Sequence, residues 1–346
     1  MMTPKQTEKP KVVSLIVACR NEGKYIEDVL KSLLSQDYHH ERFEILVIDG
    51  RSEDSTVSII KQMQLQYSNI RFLDNPLKTA THAFNIGIQN AVGDFIFIIG
   101  SHCEYPKNYI SKLVSSAQEF NASVAGGVLL TAIKKNNSVS NAIKKVLSNK
   151  IGVGNSSFRT GVNEIKEVDT VPYGCYKKDV FEKYGLFNEL LIRNQDIEFN
   201  KRIVNNKGKI IIVPDVIVTY YARESLKEVI RNNYENGFWN PLTVFYTSSF
   251  KSISLRHYIP MMFIMFIIIF SLLSFLSIYF FIALVSISLL YLLIIGLVSY
   301  SIKDGSTKWL QLLKTFLSVH FSYGIGSLVG TYKAITLKIR GSKHKS

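Results

Sequence analysis

Residues 257–302 contain no Asp, Glu, Lys or Arg. One straight helix of that length would run to roughly 69 Å, against a hydrocarbon core of about 30 Å. The run therefore predicts a hairpin of two transmembrane helices, near 259–278 and 282–301, with a turn near Ser277–Phe281. Lys303 and Lys308 follow it and mark the return to the cytosolic side.

The next stretch, Trp309–Tyr332, has a different pattern. Gln311, Lys314, Thr315, Ser318 and Ser322 recur at three- and four-residue steps, which predicts an amphipathic helix. Gly324, Gly326 and Gly330 allow close packing. A third crossing would carry the basic tail (residues 333–346) outward, against the positive-inside tendency, so an interfacial or re-entrant helix is expected at 309–332. A third transmembrane helix is the alternative. The formal net charge is +14, and residues 303–346 hold eight Lys and Arg against one Asp. Half of the excess thus sits beside the apolar run, which points to anionic lipid and not to a nucleic acid. A multi-pass protein of the cell (inner or plasma) membrane is expected, with its water-soluble part and basic tail in the cytoplasm.

The polar tail, residues 1–11, lacks an apolar segment, so no signal peptide is expected. Cys19, Cys103 and Cys175 are odd in number, widely spaced and match no zinc pattern, which suits a reducing compartment.

Residues 12–250 alternate strand and helix patterns. Val12–Ala18, Phe43–Ile48, Ile70–Leu73 and Phe95–Ile99 are apolar strand runs. Tyr25–Leu34, Thr56–Met63, Ala80–Ala91 and Asn108–Phe120 carry helical periodicity. The alternation predicts an α/β domain with a largely parallel sheet flanked by helices. Phe95–Ile99 is apolar throughout, fits a strand buried on both faces, and stops at Gly100-Ser101-His102-Cys103-Glu104. In an open parallel sheet ligands bind beyond the carboxyl ends of the strands. Arg20 and Glu22 follow the first strand, Asp49 the second and His102 the fourth, so one edge collects polar groups. Taken singly, Asp49 reads as a turn or cap residue, because Asp-Gly is a turn dipeptide. No Gly-x-Gly-x-x-Gly and no P-loop pattern occurs.

Further along, Ser123–Leu130 and Val168–Val171 read as strands, Val139–Leu147 as a helix in a polar rim loop, and residues 210–220 as two short strands around Pro214-Asp215. In Arg193–Ile203, Asp196 falls in the first turn of a helix and Glu198 pairs with Arg202 at i, i+4. Asp196 is either a general base or an ordinary first-turn acid. Ser225 caps a helix running from Leu226 to Asn236 and on into Pro241. Its Arg231, Tyr234 and Trp239 fit an active-site lid or an interfacial aromatic belt.

Taken together, Val13–Glu22, Val47–Thr56, Asn85-Ile86-Gly87 with Gly93-Asp94, and Gln195–Glu198 resemble the family 2 glycosyltransferases of GT-A fold over roughly residues 12–240. The Ala-Cys-Arg-Asn-Glu and His-Cys-Glu-Tyr-Pro runs with the membrane hairpin look most like the succinoglycan-type membrane-attached exopolysaccharide enzymes. The resemblance implies a nucleotide-diphospho-sugar transferase sheet, mixed and flanked by helices, over 12–250. It implies inverting transfer of a sugar to a lipid-linked glycan in surface polysaccharide synthesis. A transferase that loads one sugar onto a polyprenyl phosphate, and a nucleotide-sugar-binding membrane protein of weak activity, stay open beside it. The implied donor site comprises Cys19, Arg20, Glu22, Asp49, Lys78, Gly100 and Ser101. His102 is the implied ligand of a divalent metal (Mn²⁺ or Mg²⁺), with Glu104 or Asp94 in reserve. Asp196 is the implied catalytic base, and Gln195, Glu198, Arg231 and Trp239 lie on the acceptor or diphosphate side. Gly100 stands where that family's metal motif begins with Asp, and Gln195 replaces the Glu of its Glu-Asp pair.

Overall fold

The computed structural model describes residues 11–154 and 156–343. The expected polar tail, apart from Lys11, and the end of the basic tail, residues 344–346, lie outside the described residues.

The first half of the chain forms β1 (Val13–Cys19), α1 (Ile26–Leu34), β2 (Phe43–Asp49), α2 (Thr56–Gln66), β3 (Ile70–Asp74), α3 (Ala80–Asn90), β4 (Phe95–Ile99), β5 (Cys103–Glu104), α4 (Tyr109–Glu119) and β6 (Val124–Ala132). There follow α5 (Ser138–Leu147), α6 (Lys150–Val153), α7 (Ser157–Thr160), β7 (Lys166–Glu167), β8 (Cys175–Lys177), α8 (Asp179–Tyr184), α9 (Gln195–Asn205), β9 (Ile210–Tyr221) and α10 (Leu226–Thr247). The chain closes with α11 (Ile259–Leu273), α12 (Ile278–Ile302) and α13 (Trp309–Lys343).

Two expectations for strands need correction. Val168–Val171 is not a strand, and the short strand lies just before it, at β7, where Lys166 and Glu167 pair with Ile212 and Ile211. Residues 210–220 form one strand and not two. Pro214 is tolerated there because it falls beyond the β7 register, so its missing N–H breaks no bond to that neighbour.

Contacts group the chain into two compact units. The first comprises the described residues up to Gly127, with Asn163–Ile192 and Asn206–Val218; the second comprises Val128–Val162, Arg193–Asn205 and the chain from Thr219 onward.

The sheet order is β3-β2-β1-β4-β8-β6-β9-β5, with β7 on β9. β1 runs parallel to β2 and β4, and β2 parallel to β3; β8 is antiparallel to β4 and to β6. The result is a mixed sheet flanked by helices. Leu15, Ile16, Val17, Ile45, Leu46, Val47, Ile48, Ile96 and Phe97 are buried, each worth about 1.5–3 kcal/mol relative to exposure. Such continuous burial is why these strands read as unbroken apolar runs and not as alternating ones. The parallel register levels the carboxyl ends: Cys19 pairs with Asp49, Asp49 with Asp74, and Val17 with Ile99.

In the second unit, Ala142, Ile143 and Val146 of α5 form a buried cluster with Ala222, Val229, Ile295, Leu312, Phe316 and Val319. The α10 helix starts at a capping box in which Ser225 and Glu228 bond reciprocally. It packs against α13 with backbones in contact. A Cβ on Gly326 would lie 2.1 Å from the Tyr234 carbonyl oxygen, and one on Gly330 2.1 Å from that of Phe238. Both partners advance by four residues, so the two helices run parallel. Pro241 within α10 has no N–H to give the Gly237 carbonyl four residues earlier. Ser327 Oγ–H of α13 donates to that oxygen instead, at 3.1 Å.

Two helical segments are long and apolar enough to cross a membrane, Leu255–Leu273 and Ile278–Ile302. The turn between them spans residues 274–277, earlier than expected, because the Ser277 side chain caps α12. Their outer surfaces expose Phe275, Leu276, Leu289 and Leu297, the surface a lipid phase requires. The helix expected over 309–332 continues without a break through Lys343.

Candidate active site

The loops after β1, β2 and β4 are knitted together at the carboxyl edge of the first unit. Asn21, with φ of 55°, receives a bond from Glu53 N–H at its side-chain oxygen and donates its own N–H to Ser52 Oγ, both at 2.8 Å. Glu22 N–H donates to Thr56 Oγ (2.8 Å) and Gly23 N–H to Asp54 (3.0 Å). Thr56 bonds through Oγ–H and N–H hold the Asp54 carboxyl below the usual carboxylate range.

Glu22 is the hinge of this edge. Its Oε1 accepts from Ser101 Oγ–H at 3.0 Å and lies 3.2 Å from His102 Nε2. The Tyr25 ring meets the His102 imidazole edge-on, 4.7 Å between centroids, and fixes its plane. Arg20 and Lys78 come together over Gly50, where a Cβ would lie 3.3 Å from Arg20 Cβ and 3.4 Å from Lys78 Cα. Both cations are exposed. The edge thus offers an acid–imidazole pair and two positive charges, a set suited to a diphosphate.

Asp49 and Cys19 face inward. Asp49 is 2% exposed, and its carboxylate accepts from Ser52 N–H (2.8 Å), Ser52 Oγ–H (2.5 Å) and Cys19 Sγ–H (3.7 Å). It therefore holds the turn after β2. Burial, and then the Asp49 charge, push the Cys19 thiol far up. All three cysteines are buried, and none is in a disulfide.

Gly100 has a specific reason to lack a side chain. A Cβ there would stand 2.4 Å from Tyr173 Cε1 and 2.9 Å from Tyr173 Oη. The Gly100 N–H donates to Tyr105 Oη at 2.7 Å, and Tyr105 O–H returns a bond to Gly100 O at 3.2 Å. Tyr109 O–H donates to the Tyr173 carbonyl at 2.6 Å, and Tyr173 sits at φ of 49°. An aromatic wall thus fills the space that a carboxylate at position 100 would occupy. Neither Tyr173 nor the Glu22–His102 contact was foreseeable from local spacing. The only hint was the turn signal Pro172-Tyr173-Gly174.

Among the described residues there is no group of three or more His, Cys, Asp and Glu able to hold a metal unaided. His102 nitrogen and Glu22 oxygen form a two-donor set, which fits a cation that takes its remaining oxygens from a substrate diphosphate. Asp94 is excluded as a reserve ligand. It lies at the amino end of β4, the opposite edge from His102, and accepts from Val12 N–H at 3.0 Å. Glu104 is on β5, two residues beyond His102.

The remaining candidates belong to the second unit. Asp196 is in the first turn of α9. Burial pushes its carboxyl up, outweighing the backbone N–H bonds of Ile197 and Asp196 that act the other way. The Gln195 side-chain oxygen is buried and unpartnered. Glu198 accepts from Arg202 Nε and Nη2, at 2.9 and 2.6 Å, the expected i, i+4 pair, and so braces α9. Arg231 is 83% exposed and pairs with Glu235 at 3.1 Å. Trp239 stacks on Tyr246 and meets Phe238 edge-on.

Residues 14–185 match the family described as "Glycosyl transferase family 2". The chain is 33% identical over 232 residues to the dolichyl N-acetyl-alpha-D-glucosaminyl phosphate 3-beta-D-2,3-diacetamido-2,3-dideoxy-beta-D-glucuronosyltransferase of Methanococcus voltae, covering 65% of this chain and 71% of that one. It is 25% identical over 215 residues to the succinoglycan biosynthesis protein ExoA of Rhizobium meliloti, covering 61% and 64%. Its structure is similar to that of the mannosyltransferase PcManGT from Pyrobaculum calidifontis, solved in complex with GDP-Man and Mn²⁺. The TM-score is 0.63 at 15% identity, over 94% of this chain and 88% of that one, a likeness that speaks for the fold. The chain belongs to glycosyltransferase family 2 and is a glycosyltransferase of GT-A fold.

Proposed function

We propose that the enzyme is an inverting transferase that moves a sugar from a nucleotide-diphospho-sugar to a hydroxyl of a lipid-linked glycan in surface or extracellular polysaccharide synthesis. The observation that carries the proposal is the Glu22–Ser101–His102 cluster at the carboxyl edge, with Arg20 and Lys78 exposed beside the same loops. The names of the relatives support the acceptor class, since one acts on a dolichyl-linked sugar phosphate and another serves succinoglycan biosynthesis.

In this mechanism Arg20 and Lys78 bind the diphosphate, and the buried Asp49 keeps the loop between β2 and α2 in shape for the nucleoside. His102 and Glu22 would hold a divalent cation, which when bound neutralises charge on the leaving diphosphate. Asp196 accepts the proton of the acceptor hydroxyl as that oxygen attacks the anomeric carbon from the face opposite the leaving group. A carboxyl pushed up by burial is a stronger base than an exposed one, which suits that task. The buried Gln195 oxygen is left to accept from a neighbouring hydroxyl of the acceptor sugar. Arg231 and Trp239 on α10 serve the acceptor.

The two candidate spans keep the enzyme near a membrane-borne acceptor and raise its effective concentration. Arg256 at the start of the first, and Lys303 and Lys308 after the second, favour a cytoplasmic location for both flanks. The test is release of UDP or GDP from a panel of uridine- and guanosine-diphosphate sugars by the full chain with Mn²⁺ and a membrane lipid extract. Turnover that requires the extract supports the proposal. Turnover equal with and without it, with water as sole acceptor, refutes the lipid-linked acceptor.

A further inference from the structure

We propose that α13 is a positioning element for the catalytic base, acting through a buried hydrogen-bond chain from Asn194 to Asn240 to Tyr323. The inference rests on the assignment of Asp196 as that base.

Asn194 immediately precedes α9, and its carbonyl accepts from Glu198 N–H at 2.8 Å, so its backbone sets where the helix begins. Its φ of 62° is unusual for a residue with a side chain, and its amide does not cap its own helix. Asn194 Nδ2 donates instead to Asn240 Oδ1 at 3.0 Å. Asn240 Nδ2 in turn donates to Tyr323 Oη at 2.8 Å. Asn240 is 2% exposed, and rotating its amide would set its NH₂ against that of Asn194 and break the buried bond between them. The preceding residue is held as well. Arg193 Nη1 donates to Asn232 (3.2 Å) and Asn236 (2.9 Å), and its Nη2 pairs with Glu235, all on α10. The two residues that place Asp196 are thus fastened to α10 and not to their own helix.

The α10 helix is itself fixed from α13. Gly237 lies where a Cβ would be 2.0 Å from the Tyr323 carbonyl oxygen, and Ser327 replaces the hydrogen bond that Pro241 removes. With backbones in contact there is no soft layer between the helices, so a shift of α13 is passed to α10. The α13 helix also touches the candidate spans. Trp309 Nε1 donates to Gly296 O at 2.9 Å, and a Cβ on Gly324 would lie 2.5 Å from Pro260 O. The base therefore stands at the end of a rigid line that starts in the membrane pair. Asn194, Asn240 and Tyr323 are positioning residues; none of them needs to touch the substrate.

The test compares the full chain, in lipid nanodiscs, with Tyr323→Phe, Asn194→Gly and Ile325→Ala. Tyr323→Phe removes one oxygen from the chain, and Asn194→Gly removes the amide while tolerating the backbone angle. Ile325 is exposed on α13 and serves as the control. Release of UDP or GDP from the same donor panel is measured together with hydrogen exchange over residues 193–200. The expected result is a loss of about tenfold in kcat for each of the first two variants, with donor KM within about twofold and faster exchange confined to α9. Ile325→Ala should match the parent. Unchanged kcat and exchange in Tyr323→Phe and Asn194→Gly, while Asp196→Asn is inactive, overturns the positioning chain and leaves the base standing. Full turnover in Asp196→Asn overturns the base and this inference with it.

Discussion

Glu22 Oε1 lies 3.2 Å from His102 Nε2 and joins the loop after β1 to the loop after β4. The pair is the most metal-suited contact at the carboxyl edge, and Ser101, which also donates to Glu22, is 79 residues from it in sequence. Replacing either ligand of a cation shared with substrate should weaken cation-dependent binding about 10–100-fold. Glu22→Gln and His102→Ala are therefore expected to weaken UDP or GDP binding measured by calorimetry with Mn²⁺. In the absence of divalent cation they should bind like the parent.

Asp196→Asn should lower turnover by at least about 10²-fold while nucleotide binding is retained. The parent should show an acid limb in its rate–pH profile above the ordinary carboxylate range, because burial keeps Asp196 protonated to higher pH. Rates rise as that proton is lost. A limb at the ordinary Asp position would contradict the assignment.

The same carboxyl has a stability signature of definite sign. Its folded pKa is raised, so over the window between the unfolded and folded values the native state binds more protons. Stability is therefore fullest below the unfolded pKa and declines as pH rises through the folded one. Asp196→Asn should remove this component. The variant is expected to melt higher than the parent at neutral pH, and the gap should close on acidification.

Gly100→Ala should destabilise the first unit by about 1–3 kcal/mol, since its Cβ meets the Tyr173 ring at 2.4 Å. Tyr173→Gly in the same chain should recover much of that loss, because it clears the ring and relieves the left-handed backbone at that residue. Melting temperatures of the two single variants and the double variant measure the coupling. Additive effects would mean that the two residues do not compete for one space.

Gly326→Leu should separate α10 from α13, as even a Cβ would meet the Tyr234 carbonyl oxygen at 2.1 Å. Cysteine cross-linking between introduced pairs on the two helices should fall sharply. Strand amides of β1 and β2 should keep their hydrogen-exchange protection.

Much of the sheet was legible because β1, β2 and β4 are buried on both faces, so that the apolar runs 15–17, 45–48 and 95–99 stand out. The two candidate spans were legible because length and apolarity alone define them. Val168–Val171 misled because its Val171 packs under Gly126, 2.5 Å from the place of a glycine Cβ, and the paired strand stops at Glu167 although Val168 N–H still donates to Ile210 O. Pro214 suggested a break in β9, yet the pairing that decides the strand lies elsewhere along it. The carboxyl edge was legible as a list of polar residues and not as an arrangement. That Glu22 reaches His102 and that Tyr173 covers Gly100 depend on partners that no local window contains. The role of Asn194 was hidden for the same reason, since its amide is used 46 residues away.

The parallel pairing of α10 with α13 has a consequence for biogenesis. Ribosomal synthesis delivers α10 first, then the apolar hairpin, and α13 last. The seam between the pair can therefore close only after the whole apolar hairpin has been synthesised. Until α13 arrives, the Gly237 carbonyl that Pro241 leaves without its helical partner has no Ser327 hydroxyl to serve it.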